Sequence, residues 1–161
     1  MTHINQQGFT LIELVMVIII LGILSYGAVG LFATRDAFTP AIVKNQFISS
    51  ARLAQQAALA RQMNTPVRLV INQTASQVIF DVVQGTTILN SRAVDRDGSA
   101  LNVATTPFVN TCGSYTTSFP VSISFNGNGD TGANWHACVA GQVSYNLCVA
   151  PTGYAHESTC L

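Results

Sequence analysis

The stretch Gly8-Phe9-Thr10-Leu11-Ile12-Glu13-Leu14 opens a long apolar run, and the two together decide the fold. Residues 14–33 read LVMVIIILGILSYGAVGLFA, without a charge and with Ser25 and Tyr26 as the polar side chains. A helix of this length rises about 30 Å, the thickness of a bilayer's hydrocarbon core. The sequence therefore predicts a transmembrane helix with one acidic residue, Glu13, directly before its uncharged run.

Glu13 is the one charged residue among the first 34. A carboxylate near the bilayer core costs about 2.5–3.5 kcal/mol on insertion scales, so a residue of this kind is expected to have a function and a partner. If Glu13 lies at the membrane interface instead, water solvates the carboxylate and no partner is needed.

The segment before Glu13 differs from an ordinary secretory signal. Such a signal has a basic start, 7–15 apolar residues and a small-x-small cleavage site. Residues 1–8 hold no Lys or Arg, and the apolar run is longer. Ala28-Val29-Gly30 nevertheless fits a small-x-small site, so removal of the whole segment remains the alternative.

Residues 8–25 resemble the type III leader and N-terminal helix of type IV pilins and type II secretion pseudopilins. The shared features are Gly8 followed by Phe9, Glu13 four residues later, and an unbroken apolar helix. The resemblance implies that a prepilin peptidase removes residues 1–8 by cutting between Gly8 and Phe9. Phe9 would then become the N-methylated N-terminus.

The resemblance also implies a route of assembly. A helix over 9–34 would anchor the subunit in the bacterial inner membrane with a periplasmic head. The inner-membrane assembly platform would then pass it into a filament core formed with other pilin subunits. There Glu13 would pair with the Phe9 ammonium of a neighbouring subunit. Removing one partner of such a buried ion pair costs about 3–5 kcal/mol.

A second helical segment is expected over 35–64. Apolar residues recur in it every three or four positions, which predicts a face that packs on a sheet; they are Val43, Phe47, Ala51, Ala54 and Ala58. Thr39 before Pro40 suggests a break or restart, with Thr39 as N-cap and Pro40 at the first helical position. Asn64-Thr65-Pro66 ends the segment.

The remaining residues, 65–161, predict a β-rich head. Alternating or β-branched runs separated by turn residues are expected strands; they are 67–71, 78–83, 86–89, 121–125 and 143–149. The turn 150–154 leads into a last short strand, and 90–120 reads as a long irregular connection. The predicted fold class is α+β: a long N-terminal helix packed on an antiparallel sheet of the type IV pilin kind.

Two turns add a weaker resemblance to minor pseudopilins of the GspH/FimT type. They are Phe125-Asn126-Gly127-Asn128-Gly129 and Val149-Ala150-Pro151-Thr152-Gly153. The resemblance implies a structural subunit, most simply a minor pilin of a type IV pilus, possible machines including the mannose-sensitive haemagglutinin (MSHA) type. The alternative is a GspH-like pseudopilin of type II secretion.

The four cysteines all lie in the predicted head and match no zinc spacing. Translocation would place them where disulfides persist. Three pairings are possible, and free thiols are the alternative. Cys112–Cys138 with Cys148–Cys160 is favoured, because the second bond would clip the terminal hairpin onto itself at a gain of about 3 kcal/mol.

Other chemistries have little support in the sequence. His136 beside Trp135, and His156, form no metal or catalytic pattern, so we expect no enzyme, cofactor or metal site. The turns at 95–98 and 126–130 each contain a fragment of a calcium loop without its full ligand set. Charged residues are 9 % of the chain, their net charge is zero, and no Lys or Arg follows Gly153. A DNA-uptake pilin is therefore less expected, and no nucleic-acid partner is predicted.

Overall fold

The computed structural model describes residues 10–32, 35–61, 65–107, 112 and 117–160, with the backbone alone for helix residues 26–32, 35–37 and 61. The chain divides into two compact units, Met1–Arg35 and Asp36–Leu161. We call the second one the globular unit.

Helix α1, Leu11–Phe32, lies in the first unit and has 22 residues. Thr10 occupies the position before it, and the Thr10 carbonyl accepts hydrogen bonds from the backbone N of Glu13 (3.1 Å) and of Leu14 (3.3 Å). A β-hydroxyl residue is favoured at such a helix start. The helix therefore begins within the motif that precedes the apolar run.

Helix α2, Arg35–Arg61, packs one face into the core of the globular unit. The predicted apolar face is confirmed, because its five members are all buried: Val43, Phe47, Ala51, Ala54 and Ala58. Four small or β-branched side chains leave room for Phe47, whose ring meets that of Phe80 edge-on at 6.4 Å. The predicted end of the segment at 62–64 lies outside the described residues.

The predicted restart at Thr39-Pro40 is wrong. Helix α2 already begins at Arg35, so Pro40 lies inside it. An interior proline loses one helical hydrogen bond and crowds the preceding turn. Tertiary packing outweighs that cost here: Pro40 is buried, and its ring lies so close to Gly141 that a Cβ on Gly141 would overlap it.

Eight strands complete the globular unit as described. They are β1 Val67–Gln73, β2 Gln77–Gln84, β3 Thr87–Asp95, β4 Ala100–Ala104, β5 Val121–Phe125, β6 Trp135–Ala140, β7 Tyr145–Val149 and β8 Ala155–Glu157. Two antiparallel sheets result, in the orders β3-β2-β1-β5 and β4-β6-β7-β8. The predicted α+β class is confirmed, with two sheets where one was expected.

The register of the first sheet places alternate residues in the core. Leu69 lies opposite Val82 on β2 and opposite Ile123 on β5, and all three are fully or almost fully buried. The strands of the second sheet follow a different rule, since β6 is buried at four consecutive positions. One face of β6 contacts the core, and its other face carries Cys138.

Two further expectations need correction. The connection expected over 90–120 contains six of the nine residues of β3 and all of β4. The sequence reading also missed β6, which reads WHACVA and is covered on both faces, so it lacks the alternation of a half-exposed strand. The last strand, predicted after the turn at 150–154, is confirmed as β8.

Candidate assembly site

The first turn of α1 holds the acidic residue that the sequence singled out. Glu13 is the third residue of the helix, and its side chain is exposed. The free N–H groups of a first helical turn give it a partial positive charge, which favours a nearby carboxylate by about 0.3–1 kcal/mol. Glu13 therefore lies in the helical turn where acidic residues are favoured.

The described side chains of α1 expose apolar groups around the whole helix. Eleven large apolar side chains between residues 11 and 24 are between 46 % and 81 % exposed, including Ile12, Met16 and Ile20. Ser25, the next residue of α1, donates its hydroxyl to the carbonyl of Leu21 at 2.7 Å. Its hydrogen bond is therefore satisfied within the helix. An apolar surface of this extent requires a covering, because water solvates it poorly.

The partner predicted for Glu13 is Phe9 of a neighbouring subunit. Gly8 and Phe9, the predicted processing site, lie outside the described residues, so both the cleavage and the ion pair stay predictions. Among the residues that the structure describes, no helix is both long enough and apolar enough to cross a membrane.

In the globular unit, α2 fixes the chain's last strand through Lys44. The Lys44 Nζ lies 2.8 Å from the Glu157 Oε2 and 4.4 Å from the centroid of the Tyr145 ring. The Lys44 side chain is 15 % exposed and that of Glu157 52 % exposed. The ion pair is thus half in water, where such pairs contribute about 0–1 kcal/mol.

Arg52 and Gln55 hold the same segment two and three turns further along α2. The Arg52 guanidinium donates from Nε (3.3 Å) and Nη2 (3.1 Å) to the carbonyl of Ala155, with its Cζ 5.5 Å from the Tyr154 ring centroid. The Gln55 Nε2 donates to the carbonyl of Thr152 at 2.8 Å. Since one helix binds three successive points, β8 and its preceding turn are docked on α2.

The two turns that resemble the GspH/FimT pattern pack against each other. Gly129 and Gly153 both have positive φ, 78° and 80°, and a Cβ on Gly153 would overlap the carbonyl oxygen of Gly129. The amide of Thr131 donates to the carbonyl of Pro151 at 2.8 Å, which ties the two turns together. A Cβ added to Gly129 would lie 3.1 Å from the Gln55 Cγ on α2. Glycine is required at Gly153 by both conformation and space.

Both disulfides have the favoured connectivity. Cys112 is bonded to Cys138 and Cys148 to Cys160, with Cα–Cα distances of 5.6 and 5.1 Å. Cys138 on β6 lies opposite Asn146, and Cys148 on β7 lies opposite His136, which places both on the face of the second sheet away from the core. The bonds therefore join Cys112 and Cys160 to that face.

The two histidines that the structure describes, His136 and His156, take structural positions. His136 is 7 % exposed on β6, and the ring of His156 stacks on Tyr154 with centroids 5.6 Å apart. Glu157, next to His156, points to Lys44 on the other face of β8, as strand alternation predicts. Within the described ranges no three His, Cys, Asp or Glu side chains are grouped to hold a metal.

One side-chain oxygen in each of the two calcium-like fragments accepts a hydrogen bond within the protein. The Asn126 Oδ1 accepts from the amides of Asn128 and Asp130, both at 2.9 Å. The Asp95 Oδ1 accepts from the Gln77 Nε2 at 2.9 Å. The Asn126 bonds are those of an Asx turn, whereas the Asp95 bond joins two paired residues of β2 and β3.

Comparison with known proteins adds one match, to the N-terminal part of the chain. Residues 4–29 match the family model described as the prokaryotic N-terminal methylation motif. No curated protein and no solved structure matches the chain. The matched segment includes Gly8, Phe9 and Glu13 and extends into α1.

This motif, of the type IV pilin type, indicates a class: prepilins that a peptidase processes, that are membrane-anchored before assembly, and that assemble with other pilins. The α+β fold agrees with that class.

Two features of the site were missed from the sequence. The contacts of α2 with β8 join Lys44 to Glu157 across 113 positions, and no local pattern reports such a pairing. The helix start had a readable signal, because Thr10-x-x-Glu13 before an apolar run is the pattern of a capping box.

Proposed function

We propose that this chain is a structural subunit, most simply a minor pilin, of a type IV pilus, the MSHA type included. Prepilin peptidase cuts between Gly8 and Phe9, and Phe9 is N-methylated. Before assembly, the subunit is anchored in the bacterial inner membrane with its globular unit in the periplasm. The assembly platform then transfers it into the filament.

The exposed apolar surface of α1 carries this proposal. A helix that is apolar on all sides is stable only among lipid tails or among other apolar helices. Such a helix gains little by remaining in lipid, since both surroundings are equally apolar, so packing and polar contacts decide its association. Glu13 supplies such a polar contact in the first turn of α1.

We propose that Glu13 sets the axial position of the subunit by pairing with the Phe9 ammonium of a neighbour. A buried carboxylate without a partner is costly, whereas a paired one can select one offset among several without adding net stability. The exposed position of Glu13 leaves its carboxylate accessible to another chain.

The packed turns at Gly129 and Gly153 support a second candidate, a GspH-like pseudopilin of type II secretion. The two segments that resemble GspH/FimT-type subunits are distant in the sequence and lie in contact on α2. Because both segments form one structural unit, they support a minor subunit, whether of a type IV pilus or of a type II secretion pseudopilus.

We assign the chain no catalytic role and no cofactor. We also expect no DNA binding, because stacking platforms with adjacent cations are needed for it. Of the two cations exposed among the described side chains, Arg52 and Arg92, the first is bonded to the carbonyl of Ala155. A low-salt DNA mobility-shift assay on the detergent-solubilised chain should show no shift.

Mass spectrometry of the mature N-terminus tests the proposal. We expect N-methylated Phe9; an N-terminus at Met1, or one at Leu31 after cleavage behind Ala28-Val29-Gly30, would contradict it. Mature protein extracted from membranes should then be used for a pull-down. Co-purified pilus components support the first candidate, and co-purified secretion components support the second.

A further inference from the structure

The beginning of α2 exposes apolar side chains on the face that points away from the core. Phe38 is 65 % exposed and Ile42 is 53 % exposed. Because they are four residues apart in a helix, they lie next to each other on one face. Thr39, Pro40 and Val43, on the face toward the interior of the globular unit, are buried. We call Phe38 and Ile42 the apolar patch, which the core of the globular unit leaves uncovered.

The exposed face of α2 becomes polar directly after this patch. Asn45 and Ser49 follow Ile42 on the same face, at three and seven residues, and both are exposed. Leu53 and Leu59 are exposed further along the helix, but single apolar residues among polar ones are ordinary on a protein surface. The apolar patch is therefore confined to the end of α2 that follows α1 in the chain.

The covalent chain keeps this patch close to the end of the uncharged run. Five residue steps lead from Ala33, the last residue of that run, to Phe38. A fully extended chain of that length spans about 18 Å, and a helical one about 7.5 Å. The headgroup region of a bilayer adds about 5–8 Å to each side of the hydrocarbon core. If the uncharged run lies in lipid, the apolar patch is within reach of the membrane interface.

The direction of helical side chains favours the same contact. Side chains of an α-helix lean toward its N-terminus and cover the turn before their own Cα. The N-terminus of α2 is the end that follows the uncharged run, so the side chains of Phe38 and Ile42 lean toward that end. Asn45 and Ser49 begin about one and two turns further along, where the side chains are polar.

We propose that, before assembly, the apolar patch of α2 lies in the lipid interface of the bilayer that anchors α1. Interfacial helices bury an apolar face about 5–10 Å into the boundary between headgroups and acyl chains. Phe38 and Ile42 supply that face, and Arg35 and Asp36, the charges before them, fall at the headgroups, where water solvates them. The position of Asn45 is where α2 leaves the interface.

The surroundings of an anchored subunit select lipid as the occupant. Before assembly no neighbouring subunit covers the patch, whereas lipid surrounds the anchor on all sides. Burial of the patch in that lipid removes apolar surface from water. The proposal rests on the proposed function, because the patch reaches the bilayer only if α1 is anchored in it.

Tryptophan reporters in the full-length chain test the contact with lipid. Trp135, the one tryptophan of the chain, is replaced by Phe in every variant, which keeps an aromatic ring beside the core. A tryptophan is then placed singly by Phe38→Trp, Ile42→Trp or Ser49→Trp. Each variant is reconstituted at a low protein-to-lipid ratio into phosphatidylcholine vesicles, with or without bromine near the headgroup end of the acyl chains. Bromine quenches tryptophan emission on contact, so the ratio of the two emissions reports contact with lipid.

The apolar patch and its matched control should give different ratios. We expect brominated lipid to lower the emission of Phe38→Trp about twofold and that of Ile42→Trp by less, because the interface holds side chains only about 5–10 Å deep. Ser49→Trp, on the same exposed face, should keep its emission. Unquenched Phe38→Trp overturns the proposal; if its emission is also blue-shifted, a second protein chain covers the patch instead. Equal quenching of Ser49→Trp overturns it as well.

A reporter in α1 separates this proposal from the proposed function. Ile20→Trp lies in the middle of the uncharged run and should be quenched by lipid brominated deep in the acyl chains. If Ile20→Trp is quenched and Phe38→Trp is not, the interfacial contact alone is wrong. Without quenching of Ile20→Trp, the anchoring fails and the contact fails with it. If Trp135→Phe unfolds the chain, the reporters are read with Trp135 in place and the wild-type emission is subtracted.

Discussion

At the scale of single residues, two positions on this chain allow no ordinary substitute. Glu13 is the charge of an otherwise apolar helical surface, and Gly153 lies where both its φ and its neighbours exclude a side chain. The first position concerns assembly in the proposed function, and the second concerns the stability of the globular unit. Different measurements therefore separate them.

Replacing Glu13 with Gln removes the charge and keeps the size. We expect cleavage after Gly8 to continue and assembly to weaken or lose register, since the Phe9 ammonium of the neighbour would be left unpaired at about 3–5 kcal/mol. N-terminal mass spectrometry and the amount of subunit in sheared filaments measure the two steps.

Ser25→Ala is the control for that experiment. Its hydroxyl is bonded to the carbonyl of Leu21 in the same helix, so its removal should leave assembly unchanged. Normal incorporation of the Glu13→Gln variant would contradict the ion pair.

Gly153→Ala should destabilise the globular unit by about 2–5 kcal/mol. A left-handed φ costs a residue with a Cβ about 1–2 kcal/mol, and overlap with packed neighbours adds about 1–3 kcal/mol. Gly98→Ala is the matched variant, because its φ is 82° and nothing lies within 4 Å of the added Cβ. Thermal unfolding followed by circular dichroism measures both; equal losses would show that the contact with Gly129 has no cost.

At the scale of elements, α2 organises the globular unit with two faces. Its apolar face fills the core, and a row of polar side chains docks the end of the chain, with Lys44, Arg52 and Gln55 bound to β8 and its preceding turn. The short strand β8 has three residues and little pairing of its own, so this docking supplies much of its order.

Arg52→Ala should loosen β8 more than Glu157→Gln does. Hydrogen bonds from a charged donor to a carbonyl contribute about 1.5–3 kcal/mol, whereas a half-exposed ion pair contributes about 0–1 kcal/mol. Hydrogen exchange at the amide of Cys148, the residue of β7 that lies opposite His156 and whose N–H faces β8, measures the difference. Faster exchange in Glu157→Gln than in Arg52→Ala would reverse the ranking.

The sequence predicted the elements that show periodicity and missed those that tertiary contacts create. The apolar face of α2 and the alternating strands β1, β2 and β5 could be read directly, because burial on one side imposes a period. Strand β6, covered on both faces, has no such period. The continuous helix through Pro40 likewise depends on its contact with Gly141, which lies a hundred positions away.

The sequence likewise predicted only the local part of the candidate site. Gly8, Phe9 and Glu13 form a local motif, so the class of protein follows from a few neighbouring residues. The docking of β8 and the pairing of the glycine turns involve residues distant in the sequence. Residue types there, two glycines and three polar helix positions, suit many structures until the fold brings them together.

At the scale of the whole molecule, two disulfides join Cys112 and Cys160 to the outer face of the second sheet. Closing loops with sequence separations of 26 and 12 stabilises the folded state by about 3 kcal/mol each in the chain-entropy model. The total free energy of unfolding of a typical domain is about 5–15 kcal/mol. The bonds therefore account for a large share of the stability of the globular unit.

Replacing either cysteine pair with serines should lower the free energy of unfolding by about 3 kcal/mol, slightly more for Cys112 and Cys138 because their loop is longer. Removing both pairs should leave little folded protein at 37 °C. Urea unfolding of the full chain in detergent measures each variant. A quadruple variant as stable as the wild type would show that the core suffices without the bonds.

The packed glycine turns also decide where this protein tolerates a label. Asn128 and Thr152 are both solvent-exposed and look like convenient places for a fluorophore or an epitope. Each lies beside a glycine that has no room for displacement, so an insertion there would push the two turns apart. Val143 and Ser144, exposed between β6 and β7 and not adjacent to a crowded glycine, are the better place for a label.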